Sequence, residues 1–122
     1  MMRIFIVIPA FEAGDRAIRV AREAAEQGYG VVLIDDGSTC PLALPSDLMD
    51  RVILLRHDRN RGVGAAILSG YGVARKCGGD VGVVMAGDGQ MAIEDIPTMI
   101  GPILDGQADY VKGERFSHRD CE

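Results

Sequence analysis

The sequence predicts an α/β fold, an open and mostly parallel sheet with helices on both faces. Two observations carry that prediction. Short β-branched runs alternate along the chain with helical stripes, and the strand runs are continuously apolar, as strands covered on both faces are. The joins between them are short, which favours right-handed crossovers in a single layered domain. In such sheets a ligand binds outside the carboxyl ends of the strands.

Arg3-Ile-Phe-Ile-Val-Ile8 is the first strand, ended by Pro9. From Asp15 the spacing of Ala17, Ile18, Ala21, Ala24 and Ala25 among charges predicts a helix that Gly28 and Gly30 close. Val31-Val-Leu-Ile34 is the second strand and runs into Asp35-Asp-Gly-Ser-Thr39, so two carboxylates stand at its end. Cys40 to Asp50, with Pro41 and Pro45, is a loop or a short helix. Arg51-Val-Ile-Leu-Leu55 is the third strand, and Gly62 to Lys76 is a second helix that packs through Ala65, Ala66, Leu68, Val73 and Ala74. Val81-Gly-Val-Val-Met85 is the fourth strand, followed by Ala86-Gly-Asp-Gly-Gln90. Glu94 to Leu104 reads as a helix with Pro97 in its first turn. Tyr110-Val-Lys-Gly113 is a last short strand.

With 122 residues, 48% hydrophobic and 25% charged, the chain is one globular domain able to bury a core without staples. Eighteen acidic residues against 13 basic ones leave a net charge of −5, which excludes a general surface for nucleic acid. Cys40, Cys77 and Cys121 are widely spaced and odd in number, the pattern of reduced thiols in a cytoplasmic protein and not of a disulfide framework or a zinc site. The longest apolar stretch, Ile4 to Ala10, is far short of the ~20 residues that a membrane span needs, and the N-terminus lacks a signal-peptide layout.

The predicted strand ends carry Pro9 to Glu12, Asp35 and Asp36, and Asp88 to Gln90. Carboxylates gathered on one rim repel unless a cation or a hydrogen-bond donor stands between them. A divalent metal, or a base or sugar that presents donors, is the fitting occupant. Asp88 and Gln90 lie two apart on a glycine-rich turn and supply oxygen ligands, which suits Mg²⁺ or Mn²⁺ completed by substrate phosphates. Against this, Gly87-Asp-Gly89 is also a plain turn sequence, and Asp-Asp-Gly-Ser a plain helix cap or turn.

Five ordered segments resemble glycosyltransferase family 2, and within it the dolichyl- or polyprenyl-phosphate sugar transferases. They are Val7-Ile-Pro-Ala-Phe11, Val32-Leu-Ile-Asp-Asp-Gly-Ser-Thr39, Arg59-Asn-Arg-Gly-Val-Gly-Ala-Ala66, Val84-Met-Ala-Gly-Asp-Gly-Gln90 with Glu94-Asp-Ile-Pro97, and Val111-Lys-Gly-Glu-Arg-Phe116. The resemblance implies a GT-A fold that moves a hexose, of mannose or glucose type, from a GDP- or UDP-sugar to a polyprenyl phosphate or another membrane-associated acceptor. It implies a nucleotide pocket of Pro9, Ala10, Phe11, Glu12, Asp35, Asp36, Gly62 and Asp88, with Asp88 and Gln90 on a divalent metal. Asp88 and Arg115 would support catalysis, the arginine through its fork of donors on the donor phosphates.

The family's usual Asp-Ala-Asp reads Ala86-Gly87-Asp88 here, and Glu12-Ala13 stands where Asn-Glu is usual. Val63 and Glu114 replace a common lysine and serine, so altered donor choice or weaker metal affinity is expected. The family's catalytic region continues beyond the Arg115 segment. The chain is therefore expected to be the donor-binding part of a longer enzyme, or alternatively a non-catalytic nucleotide-binding module, and to form homo-oligomers through an uncovered edge. It is expected in the cytoplasm, peripheral to the membrane face.

Other readings are weaker. Gly62-Val-Gly64-Ala-Ala-Ile67 lacks the third glycine of a dinucleotide fingerprint and follows the third strand, not the first. His118-Arg-Asp120 has no kinase motifs around it. A nucleotidyltransferase would need a glycine-rich loop after strand one, which is absent. Met85, Met91 and Met99 are core filler, Arg59 and Arg61 are either phosphate contacts or solvated charges, and His57 is either a surface residue or a donor contact.

Overall fold

The computed structural model describes residues 3–85, together with the backbone of 113–115. Strand β1 (Ile4–Ala10) leads to helix α1 (Asp15–Glu26) and strand β2 (Gly30–Asp36). A 3-10 turn at Ser46–Leu48 precedes β3 (Ile53–His57), and α2 (Val63–Lys76) joins β3 to β4 (Val81–Val84). Strand β5 (Gly113–Arg115) completes a five-stranded sheet of order β3-β2-β1-β4-β5. The first four are parallel, and β5 runs antiparallel against β4.

This order explains why the helices lie on opposite faces. The path from β1 to β3 steps one way across the sheet, whereas β3 to β4 steps back over β2 and β1. Crossovers of one hand therefore place α1 and α2 on different sides. On the α1 side, Ile6, Ile8, Val31, Leu33, Val81 and Val83 pack with Ala17, Val20, Ala21 and Ala24, and Leu48 seals the end. On the α2 side, Phe5, Val7, Val32 and Ile34 meet Ala66 and Ala74. Gly70 allows that closeness, since a Cβ there would stand 2.4 Å from Val7 Cγ1 and 2.7 Å from Ile34 Cδ1.

Three boundaries differ from the sequence-based expectation, and each bears on the site. Strand β1 continues through Pro9 to Ala10. The carbonyl of Val7 accepts from Met85 on the β4 side, so by strand alternation Pro9 directs its missing N–H to that same side, past the end of β4. Strand β2 extends through both carboxylates to Asp36. Strand β3 lies two residues later than the apolar run, at Ile53–His57, because an edge strand that pairs along one side accepts polar residues such as Arg56 and His57. Of the last strand expected at 110–113 the structure describes Gly113, which opens β5; residues 110–112, like the helix expected at 94–104, lie outside the described residues.

Candidate nucleotide-binding site

The carboxyl ends of β1 and β2 and the loop entering α2 enclose a cleft of about 310 Å³, lined by Pro9, Ala10, Phe11, Asp36, Asn60, Gly62, Val63 and Ala66. That volume is at the lower end of the range for small-molecule sites. Its walls are apolar, and Phe11 and Val63 are 52% and 65% exposed at the mouth. Asp36 is the one ionisable side chain among the lining residues.

The backbone pleat decides what each carboxylate can do. Successive side chains of a strand point to opposite faces, so Asp36 shares the α2 side with Val32 and Ile34, and Asp35 shares the α1 side with Val31 and Leu33. In the β2–β3 register Asp35 stands opposite Arg56 and Asp36 opposite His57. Each acid thus meets its own cross-strand partner, and the two do not share one site as the sequence suggested.

Asp36 is 3% exposed and is held from three directions. His57 Nδ1 lies 2.8 Å from Oδ1, the Arg61 amide donates to Oδ1 at 3.0 Å, and the Gly62 amide donates to Oδ2 at 2.9 Å. Both amides belong to the entry of α2, where free N–H groups and the helix dipole favour an anion. Burial alone would raise the Asp36 carboxyl. Hydrogen bonds from Arg61, His57 and Gly62 outweigh it and hold the group below the ordinary carboxylate value, so it is ionised at neutral pH.

Asp35 is fully buried, and its partners are the Ser38 amide at 3.0 Å, the Leu42 amide at 2.9 Å and Arg56 Nη1 at 2.6 Å. Burial again acts upward, and the Leu42 and Ser38 bonds, the Ser38 hydroxyl included, with the charge of Arg56 bring the group below its ordinary value. Glu12 also ties loops together: its amide donates to Ser38 Oγ at 2.9 Å, and its carboxylate accepts from the Thr39 amide. Gly37 is required where these loops cross, because its φ is +76° and a Cβ would stand 2.3 Å from the carbonyl carbon of Arg59.

Of the residues expected in the pocket, the structure brings together Pro9, Ala10, Phe11, Asp36 and Gly62. Glu12 and Asp35 stand behind it, bracing the loops. Arg115 is not brought to the cleft by its backbone, which pairs with Val81 at the opposite end of β4. Asp88 and Gln90 lie outside the described residues. No group of three His, Cys, Asp or Glu side chains able to hold a metal occurs among the described residues.

The sequence reading missed Asn60, Val63 and Ala66 in the cleft, and left His57, which stands behind it, between a surface residue and a donor contact. His57 is 7% exposed, not a surface residue, and its Nε2 lies 3.0 Å from Ser69 Oγ on α2. The signal was available, since extending β3 by two residues puts His57 level with Asp36 on one face.

Comparison with known proteins agrees with this geometry. The model of glycosyl transferase family 2 matches residues 5–122. The chain belongs to that family. A UDP-N-acetylglucosamine–dolichyl-phosphate N-acetylglucosaminyltransferase of Methanococcus voltae is 28% identical over 132 aligned positions, which cover 94% of this chain and 53% of that protein. An uncharacterized protein of Methanocaldococcus jannaschii is 28% identical over 120 positions, covering 96% of this chain and 48% of its own length. The family 2 chain thus spans about half the length of the curated relatives it matches.

Among solved structures, S. aureus TarS superposes with a TM-score of 0.55 at 17% identity, over 81% of this chain and 19% of that one. Its fragment 1-349 in complex with UDP gives 0.55 at 18% identity, over 81% of this chain and 32% of that one. At such identities the likeness establishes the fold, which is that of GT-A type glycosyltransferases.

Proposed function

We propose that this family 2 chain is the donor-binding part of a glycosyltransferase that takes its sugar from a UDP-sugar and passes it to a polyprenyl phosphate. The observation that carries this reading is the Asp36 carboxylate on the cleft wall. A carboxylate has about four acceptor positions, and three are occupied by His57, Arg61 and Gly62. One remains on Oδ2. Uracil presents a single N–H on its pairing edge, at N3, and matches it. Guanine presents N1–H and an amino group side by side and asks for two free acceptors. The exposed ring of Phe11 and the apolar walls supply the surface a base covers.

The M. voltae relative's name supports the lipid-phosphate acceptor, and it points to an N-acetylhexosamine as readily as to a plain hexose. In this reading Asp88 and Gln90 are the oxygen ligands of Mg²⁺ or Mn²⁺. The metal, when bound, offsets charge on the departing diphosphate. The described residues bind and orient the nucleoside, and the α2 entry contributes amides.

The test is calorimetric titration of the chain with UDP and with GDP, each with and without Mn²⁺. UDP is expected to bind at least about tenfold more tightly than GDP, as one unmet hydrogen bond to a charged group implies. Asp88→Asn is expected to remove the increment due to Mn²⁺ and to leave the metal-free affinity unchanged. Equal affinity for the two nucleotides would refute the base assignment.

A further inference from the structure

We infer that His57 is a positioning residue for base selection: with Ser69 behind it, it aims the Asp36 carboxylate so that its one open acceptor position meets the base. This rests on the reading of Asp36 as the group that accepts the base N–H.

The argument starts from the hydrogen-bond chain that joins three elements. Asp36 Oδ1 on β2 lies 2.8 Å from His57 Nδ1 on β3, and His57 Nε2 lies 3.0 Å from Ser69 Oγ on α2. An ionised carboxylate can only accept, so Nδ1 carries the hydrogen of this bond. In the neutral ring Nε2 is then the acceptor, and the Ser69 hydroxyl donates to it. A helical serine otherwise bonds back to its own helix or faces water, so Ser69 is recruited by the ring.

The consequence is rotational. The Arg61 and Gly62 amides come from one loop, on one side of the carboxylate, and by themselves hold it as a pair of adjacent donors. His57 approaches from the neighbouring strand and takes the second position on Oδ1. That bond fills Oδ1 and leaves the open position on Oδ2 alone. Without it only the two amides of one loop hold the carboxylate, which can turn on them, and Oδ2 no longer keeps its open position toward the base. His57 does not line the cleft, so it acts through Asp36.

The experiment compares the affinity of the 122-residue chain for UDP and for N3-methyl-UDP, which cannot donate from the pairing edge. The parent chain is expected to favour UDP by about tenfold. His57→Phe, which keeps a ring and loses both nitrogens, is expected to bring that ratio close to one and to narrow the UDP preference over GDP. His57→Asn places an amide N–H where Nδ1 stands and should restore the ratio to within about threefold of the parent. His57→Gln places it where Nε2 stands and should behave like Phe.

Retention of the parent ratio in His57→Phe, or equal rescue by Asn and Gln, would overturn the inference. A second readout needs no variant: nitrogen NMR of the ring should show Nδ1 protonated, and a neutral ring carrying its hydrogen on Nε2 would overturn it as well. Asp36→Asn separates the two levels. A parent that prefers UDP, with the preference lost in Asp36→Asn but kept in His57→Phe, refutes the role of His57 while the base reading stands. A parent that binds UDP and N3-methyl-UDP alike, or neither, refutes both.

Discussion

The two adjacent aspartates at the end of β2 have the same chemistry, the same strand and nearly the same burial, yet they do different work. Asp35 on the α1 side is saturated by the Ser38 amide and hydroxyl, the Leu42 amide and Arg56. Asp36 on the α2 side has three partners and faces a cleft. A full set of donors makes a carboxylate a staple for loops, whereas one missing donor makes it a receptor. The difference is one lone pair, and the pleat of the strand decides which residue has it.

The most damaging way to break this arrangement is Gly37→Ala, which strikes both sides at once. Its positive φ and the contact with the Arg59 backbone leave no room for a Cβ. A loss of about 3 kcal/mol in urea unfolding is expected, with nucleotide binding lost over the same transition. Asp35→Asn should cost about 2 kcal/mol of stability, since it turns a donor toward the amides that now bond a carboxylate. Its UDP affinity should stay within about twofold of the parent when measured on folded protein. Asp36→Asn sharpens the contrast from the other side: UDP affinity is expected to fall about tenfold without added metal, equivalent to about 1.4 kcal/mol. If the two variants lost affinity equally, the division of labour would be wrong.

Acid should weaken both sites together. Both carboxyls are lowered in the folded chain relative to an unfolded value of 3.8, so their contribution is complete above that value. It is lost as pH falls below about 4 toward the lowered folded values, and a urea titration between pH 3 and 6 should show stability declining only at the acid end. Asp35→Asn should flatten part of that decline. The smallest effect is expected at the Arg22–Asp47 pair, which is bidentate but exposed at the surface. Arg22→Ala should leave both the unfolding midpoint and UDP affinity as they were.

Much of this was legible in the sequence. Continuous apolar runs such as Val31 to Ile34 announce buried parallel strands, the stripe from Ala17 to Ala25 announces a helix, and strand ends announce where a ligand binds. Those signals are local, because periodicity and turn chemistry act over a few residues. Pro9, Phe11, Asp36 and Gly62 were placed in one pocket through ordered motifs, and the cleft contains them.

The tertiary structure alone settled which aspartate serves which face, and that His57 takes the second position on Asp36 Oδ1. Both depend on the strand register, which places Asp35 against Arg56 and Asp36 against His57, 21 residues away in sequence. Register is a pairing between segments and leaves no trace in either segment by itself. An apolar run marks the buried middle of a strand, while its polar ends become strand only where a neighbour supplies hydrogen bonds, and in this chain the polar ends carry the site.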